Sequence, residues 1–200
     1  MTSINNIYEA LKNRKEKVCN KEEIFGIILE YKKTFKAKIN NLNTLKYLSR
    51  HNYITRIFLN YYYINDYDEQ KNGNRKYDDK EILFIVLNKL NIMWYLGLNS
   101  ALYTLGKIWQ VPRKIFVINN KFKGEKKILN LIVCFSKFNT NLFFGLKETK
   151  TSNGFIYYYS NIEKTYTDLA YLKKISEINL NKKTKKYLRK YPKWLRRKLI

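Results

Sequence analysis

The most constraining stretch of this chain is Asn43 to Ile64, NTLKYLSRHNYITRIFLNYYYI, where one hydrophobic period gives way to another. Leu42, Leu45 and Leu48 recur at three-residue spacing, which predicts a narrow buried stripe on a helix ending near His51. Lys46, Tyr47, Arg50 and His51 fall between them and are expected to face out. Beyond Asn52, the segments Tyr53–Phe58 and Tyr61–Ile64 are dense in β-branched and aromatic residues, so two strands are expected with Leu59-Asn60 at their turn. A helix followed by such a hairpin is the end of a winged helix-turn-helix. Its recognition helix enters a major groove while the wing touches the flanking backbone.

Charge points the same way. From Tyr31 to Asn65 there is no Asp or Glu, while Lys32, Lys33, Lys36, Lys38, Lys46, Arg50 and Arg56 are all present. The whole chain sets 40 Lys and Arg against 16 Asp and Glu, a formal charge of +24 that suits a polyanionic partner. Heavy use of Lys, Asn, Ile and Tyr, as an A/T-rich genome dictates, accounts for part of this charge. Its uneven placement along the chain favours a real anionic partner over composition alone. On double-stranded DNA, Lys46, Tyr47, Arg50 and His51 are expected to meet base edges or flanking phosphates, with Asn43 at the helix start. Lys36, Lys38 and Arg56 are expected to contact phosphates, which position a protein without specifying sequence.

In chain order, Ile4, Ile7, Tyr8 and Leu11 predict an amphipathic helix over 3–17. Asn20 with Glu23 three residues on is a capping box that opens a second helix to about Lys33, and 34–40 is the turn before the third. Residues 1–65 then make a winged helix-turn-helix domain. Residues 66–79, DYDEQKNGNRKYDD, lack an apolar period and read as a surface linker. Residues 80–200 read as a second domain. It opens with a nearly all-apolar helix over 81–90, then a strand at 93–96 and a helix from Asn99 or Ser100 to Leu105. Strands follow at 113–118, 127–135, 142–146 and 155–159. Ser160 and Glu163 resemble a second capping box, opening a helix whose inner stripe is Ile162, Tyr166, Leu169 and Ala170. The fold class is α+β, with a mostly antiparallel sheet. After Glu177 a basic helical tail keeps Tyr187, Leu188, Tyr191, Trp194, Leu195 and Leu199 as an apolar stripe among its cations. That tail either packs on its domain with lysines reaching water, or lays its charges on phosphates or an acidic surface.

Enzyme chemistry finds little to build on. His51 is the only histidine, so neither a histidine triad nor a multi-histidine metal site can form. No phosphate-cradling glycine motif is present, and no cofactor or metal is expected. Cys19 and Cys134 are too few for a disulfide framework and suit a reducing cytoplasm. No apolar run approaches the roughly 20 residues a bilayer needs, so no membrane association is expected. The competing enzyme reading is a metal-dependent nuclease using Glu148 and Lys150, an E-x-K pair that lacks an upstream Asp after Asp79. Asp168 is expected to serve structure, through a hydrogen bond to a neighbouring strand. The 18 tyrosines raise a basic RNA-binding module as a further alternative, since stacking platforms need exposed aromatics among cations.

Three segments together resemble AbiEi-type antitoxins and transcriptional regulators of type IV toxin–antitoxin (abortive infection) systems. LKYLSRHNYITRIFLNYYYI is similar to that family's recognition helix and wing. WYLGLNSALYTLGKIWQVPRKIFVI is similar to its strand, "SAL" helix, Pro-containing turn and following strand. YYSNIEKTYTDLAYL is similar to its E-[RK]-T-x-x-D-L helix. Where most relatives carry a Gly in the wing turn, this chain has Leu59-Asn60. The resemblance implies a repressor that binds repeats or palindromes in its own promoter and leaves a homodimer on the DNA open. It also implies a functional link to a nucleotidyltransferase-like toxin, with no stable complex between the two.

Overall fold

Residues 3–36 and 38–199 are described by a computed structural model. The chain divides into two units, residues 1–86 and 87–200, and the border falls inside a helix. The architecture is α+β throughout.

In the first unit, α1 (Ser3–Lys12) buries Ile7, Tyr8 and Leu11, which lie within one turn of each other on one side of the helix. A short strand β1 (Val18–Asn20) leads into α2 (Lys21–Phe35). The capping box at its start is complete: Glu23 N donates to Asn20 Oδ1 and Asn20 N donates to Glu23 Oε2, each at 2.8 Å. Next come α3 (Asn41–Arg50) and the hairpin β2 (Ile54–Arg56) and β3 (Tyr61–Ile64). The three strands form one antiparallel sheet in the order β1-β3-β2, with Val18 opposite Tyr63 and Arg56 opposite Tyr62. Three residues are too few for strand alternation to register, so β1 has no counterpart in the sequence reading. Cys19, Ile24, Ile28, Leu45, Leu48, Ile54 and Ile64 close the core against α1.

Residues 66–79, read from sequence as a linker, carry the helix α4 (Tyr67–Asn72), which ends at Gly73 with φ 70°. Glu69 is buried there, and its carboxylate accepts from Tyr63 Oη, Asp66 N and Lys76 N, each at 2.6 Å. A segment held by a buried acceptor has no apolar period to betray it. The helix α5 (Asp79–Lys89) follows, with Ile82, Leu83, Phe84, Val86 and Leu87 all buried.

The second unit is built on a six-stranded sheet. Its elements are β4 (Trp94–Leu96), α6 (Leu98–Thr104), β5 (Ile115–Asn119), β6 (Gly124–Ile128), β7 (Leu131–Lys137), β8 (Leu146–Lys150), β9 (Ile156–Ser160) and α7 (Ile162–Tyr171). Two short helices end the chain, α8 (Lys182–Leu188) and α9 (Lys193–Leu199). Strand order is β6-β7-β5-β4-β9-β8. The sheet is mixed with antiparallel pairing in the majority: β4–β5, β6–β7 and β8–β9 pair antiparallel, as expected, while β4 pairs parallel with β9, and β5 with β7. The cause is that β6 skips a place, so its hairpin partner β7 returns alongside β5 in the same direction. The strand expected over 127–135 is this hairpin, broken at Leu129, whose φ is 53°. The strand expected at 142–146 lies later, as β8, behind a 3₁₀ turn over Thr140–Leu142. Gly97 lies so close to Ile118 that a Cβ there would meet its Cγ1 at 2.6 Å, which explains glycine between β4 and α6.

The start of α7 differs by one residue from expectation. Asn161, not Ser160, caps it by accepting from Lys164 N at 2.9 Å, while Ser160 and Thr165 share a hydroxyl contact at 2.6 Å. The inner face of α7 is also more polar than expected, since Lys164, Thr165 and Asp168 are buried while Tyr166 is exposed. Lys164 Nζ donates to Asp168 Oδ1 at 2.5 Å and to Tyr191 Oη at 2.6 Å. Tyr95 Oη on β4 donates to Asp168 Oδ2 at 2.9 Å, and Tyr191 Oη reaches the Oδ1 side. The ammonium also sits 4.9 Å from the Phe144 ring centre and 5.4 Å from that of Phe138. Burial pushes the Asp168 carboxyl up, and the Lys164 ammonium opposes that shift; burial pushes Lys164 down, and Asp168 opposes that in turn. Among the described residues no helix is long and apolar enough to cross a membrane.

Breaking one side of a buried ion pair strands the other charge. Lys164→Met is therefore expected to lower stability by about 3–5 kcal/mol in urea denaturation followed by circular dichroism. A loss below about 1 kcal/mol would assign the second unit's stability elsewhere.

Candidate nucleic-acid interface

The surface of interest is the outer side of α3 and what flanks it. Asn40 caps this helix: Leu42 N and Asn43 N donate to its Oδ1 at 3.0 and 3.1 Å, and Thr44 Oγ1 donates to its carbonyl at 2.9 Å. Thr44, Leu45 and Leu48 face the core. Leu42, expected in the buried stripe, is 51% exposed, because Thr44 takes the inward place in the first turn. The stripe is thus shifted at its start, and a buried Thr with a backbone bond to the cap gives no hydrophobic signal.

With that face committed, Asn43, Lys46, Tyr47 and Arg50 lie at i, i+3, i+4 and i+7 on the outer face, and all are exposed. His51 at the C-cap is exposed as well, and its ring lies 4.1 Å from that of Tyr47. Tyr53, half-buried, stacks at 6.5 Å on the other partner of that pair, Tyr47. This three-ring cluster sets the direction of Tyr47, and sequence spacing alone does not place Tyr53 in it. The only signal for it was an aromatic residue just after the helix-to-strand change.

The flanking cations are placed by backbone. Lys36 is the left-handed C-cap of α2, with φ 48°, and is exposed. Lys38 is exposed between α2 and α3, where Lys32, Lys38, Asn40 and Leu42 line a shallow depression. Arg56, at the end of β2, donates from Nε to Leu59 O at 3.1 Å. Leu59 itself adopts φ 53°, the left-handed conformation that a glycine takes more readily. The guanidinium of Arg56 is therefore tied across the hairpin turn while remaining at the surface. The site's predicted residues fall into two groups: Asn43, Lys46, Tyr47, Arg50 and His51 share the α3 surface, whereas Lys36 and Lys38 precede the helix and Arg56 follows it.

Glu148 and Lys150 share one face of the edge strand β8 and are exposed, and Tyr158 Oη donates to Glu148 Oε2 at 3.2 Å. Among the described residues no group of three or more His, Cys, Asp or Glu side chains is placed to hold a metal. No family model matches this chain, and no curated protein matches it.

The cap of α3 positions the whole surface. Asn40→Ala is expected to cost about 0.5–2 kcal/mol of stability, read as a lower urea midpoint. An unchanged midpoint would show that packing alone holds the start of α3.

Proposed function

We propose that the first unit is a winged helix-turn-helix that reads duplex DNA, and that the chain is an antitoxin-type transcriptional regulator acting on its own promoter. One observation carries the DNA-binding part: the solvent side of α3 presents Lys46, Tyr47 and Arg50 together, in a stretch with no acidic residue from Tyr31 to Asn65. Such a face meets phosphates through long-range attraction and base edges through side-chain donors. Two features of the unit support the winged reading. Its elements run helix, strand, helix, helix, hairpin, and β3 of the hairpin lies between β1 and β2. In this arrangement α3 is the recognition helix, the β2–β3 hairpin is the wing, and Arg56 contacts the flanking backbone.

The regulator's role rests on the resemblance to AbiEi-type antitoxins carried by the three quoted segments. It would counter a nucleotidyltransferase-like toxin without forming a stable complex with it, in the cytoplasm and without a catalytic residue, cofactor or metal of its own. Binding to repeats or palindromes as a homodimer suits such a role.

The test is binding to the DNA upstream of the chain's own gene, against random duplex at the same salt. Arg50→Ala is expected to cost about 1–3 kcal/mol on the cognate site and little on random DNA. Lys38→Ala is expected to weaken both alike and to reduce the salt slope by about 1. Equal binding of the parent protein to cognate and random duplex would overturn the sequence-specific reading.

A further inference from the structure

We infer a second nucleic-acid site, in the unit formed by residues 87–200: a cleft beside Trp109 that takes an unpaired base of a single strand, with Lys107 and Arg113 on its phosphates. The inference begins with the exposure of one indole. Trp109 is 91% exposed and Val111 beside it is 64% exposed, on the loop between α6 and β5. Trp109 makes no ring or cation–π contact among the described residues. The other two tryptophans are placed by neighbours. Trp94 Nε1 donates to Asn88 Oδ1 at 2.8 Å, and Trp194 stacks on Tyr171 with ring centres 5.9 Å apart.

The loop is tied at its base. Gly106 turns it with φ 64°, Lys107 N donates to Leu102 O at 2.8 Å, and Ile108 packs against the unit's core. Holding so large an apolar side chain in water on an anchored loop leaves surface that a ligand can cover. Around it is a cleft of about 520 Å³ lined by Asn99, Lys107, Ile108, Trp109, Pro112 and Arg113. Lys114, the next cation, is held by Glu125 at 2.6 Å. Lys107 and Arg113 are exposed and form no ion pair among the described residues. A flat aromatic face beside two cations suits a base with its phosphates, and the Arg fork fits phosphate oxygens in a bidentate way. The bases of a duplex are stacked on each other, so the indole needs a base already unpaired. The carboxylates of an acidic polypeptide would use the two cations but offer no aromatic face to cover the indole.

The test is fluorescence anisotropy of a labelled oligo-deoxythymidylate of about eight nucleotides, with the full chain at about 200 mM salt. Trp109→Ala leaves the charge unchanged, so any loss it causes belongs to stacking. It is expected to weaken binding about fivefold or more, with Trp109→Phe recovering most of the loss. Lys107→Ala with Arg113→Ala is expected to flatten the salt dependence by about 1.4, two single-strand phosphates at roughly 0.7 each. Duplex binding by Arg50 and its neighbours is measured in parallel and is expected to be unaffected by Trp109→Ala, so each site can fail by itself. Equal oligonucleotide affinity for the parent and Trp109→Ala would overturn the inference. So would labelled poly-glutamate binding that depends on Trp109 where the oligonucleotide's does not, which would point to an acidic protein.

Discussion

What α3 buries decides what it can offer. The helix has ten residues, too short to persist alone in water, so its geometry is set by the core it packs on. Thr44, Leu45 and Leu48 are held inward by α1, α2 and the start of the hairpin. A helix has only so much circumference, and once these three are committed the remaining positions must face out. The cations on that side follow from packing at the opposite side. Asn40 adds direction by capping the first turn, and the Tyr47–His51–Tyr53 rings set how the last turn meets β2.

The second unit solves a different problem, that of a charge inside. Lys164 and Asp168 are one helical turn apart on α7, which brings their head groups together without distortion. Such a pair is tolerable in a core only when the remaining hydrogen-bonding capacity is met, and here two phenols and the surrounding rings supply it. One of those phenols, Tyr191, lies between α8 and α9. The network therefore reaches the cationic end of the chain. Gly145, at φ 67° under the Tyr187 ring, permits the close approach of α8. The lysines and arginines of α8 and α9 are mostly exposed because Leu188, Tyr191 and Leu195 are used for anchoring. The packing of these anchors agrees with the first of the two readings of the tail. It says nothing against the second, since anchoring one face of a helix leaves its other face available.

Much of this was legible wherever local chemistry and local structure agree. The capping box at Asn20 and Glu23, the helix of 41–50 and the change to strand after Asn52 each have causes within a few residues. Elements whose cause lies across the fold were not legible. The strand β1 exists because β3 pairs with it, α4 is held by bonds to Glu69 from Tyr63 and Lys76, and the parallel pairing of β5 with β7 follows from strand insertion. In α7, an apolar stripe with Tyr166 was the reasonable expectation. A lysine and an aspartate four apart usually mark a solvated face, and only Tyr95 and Tyr191, distant in sequence, make them an interior.

By itself the sequence determined the α+β character, the helix-to-hairpin order around Asn52 and the run of cations without acids, because periodicity, caps and charge are properties of neighbouring residues. The tertiary structure alone decided which side of α3 faces water at Leu42 and Thr44, and which tryptophan is left uncovered. It also decided which charges lie inside. Each of these depends on residues far apart in the chain arriving at one place, and no local pattern encodes that meeting.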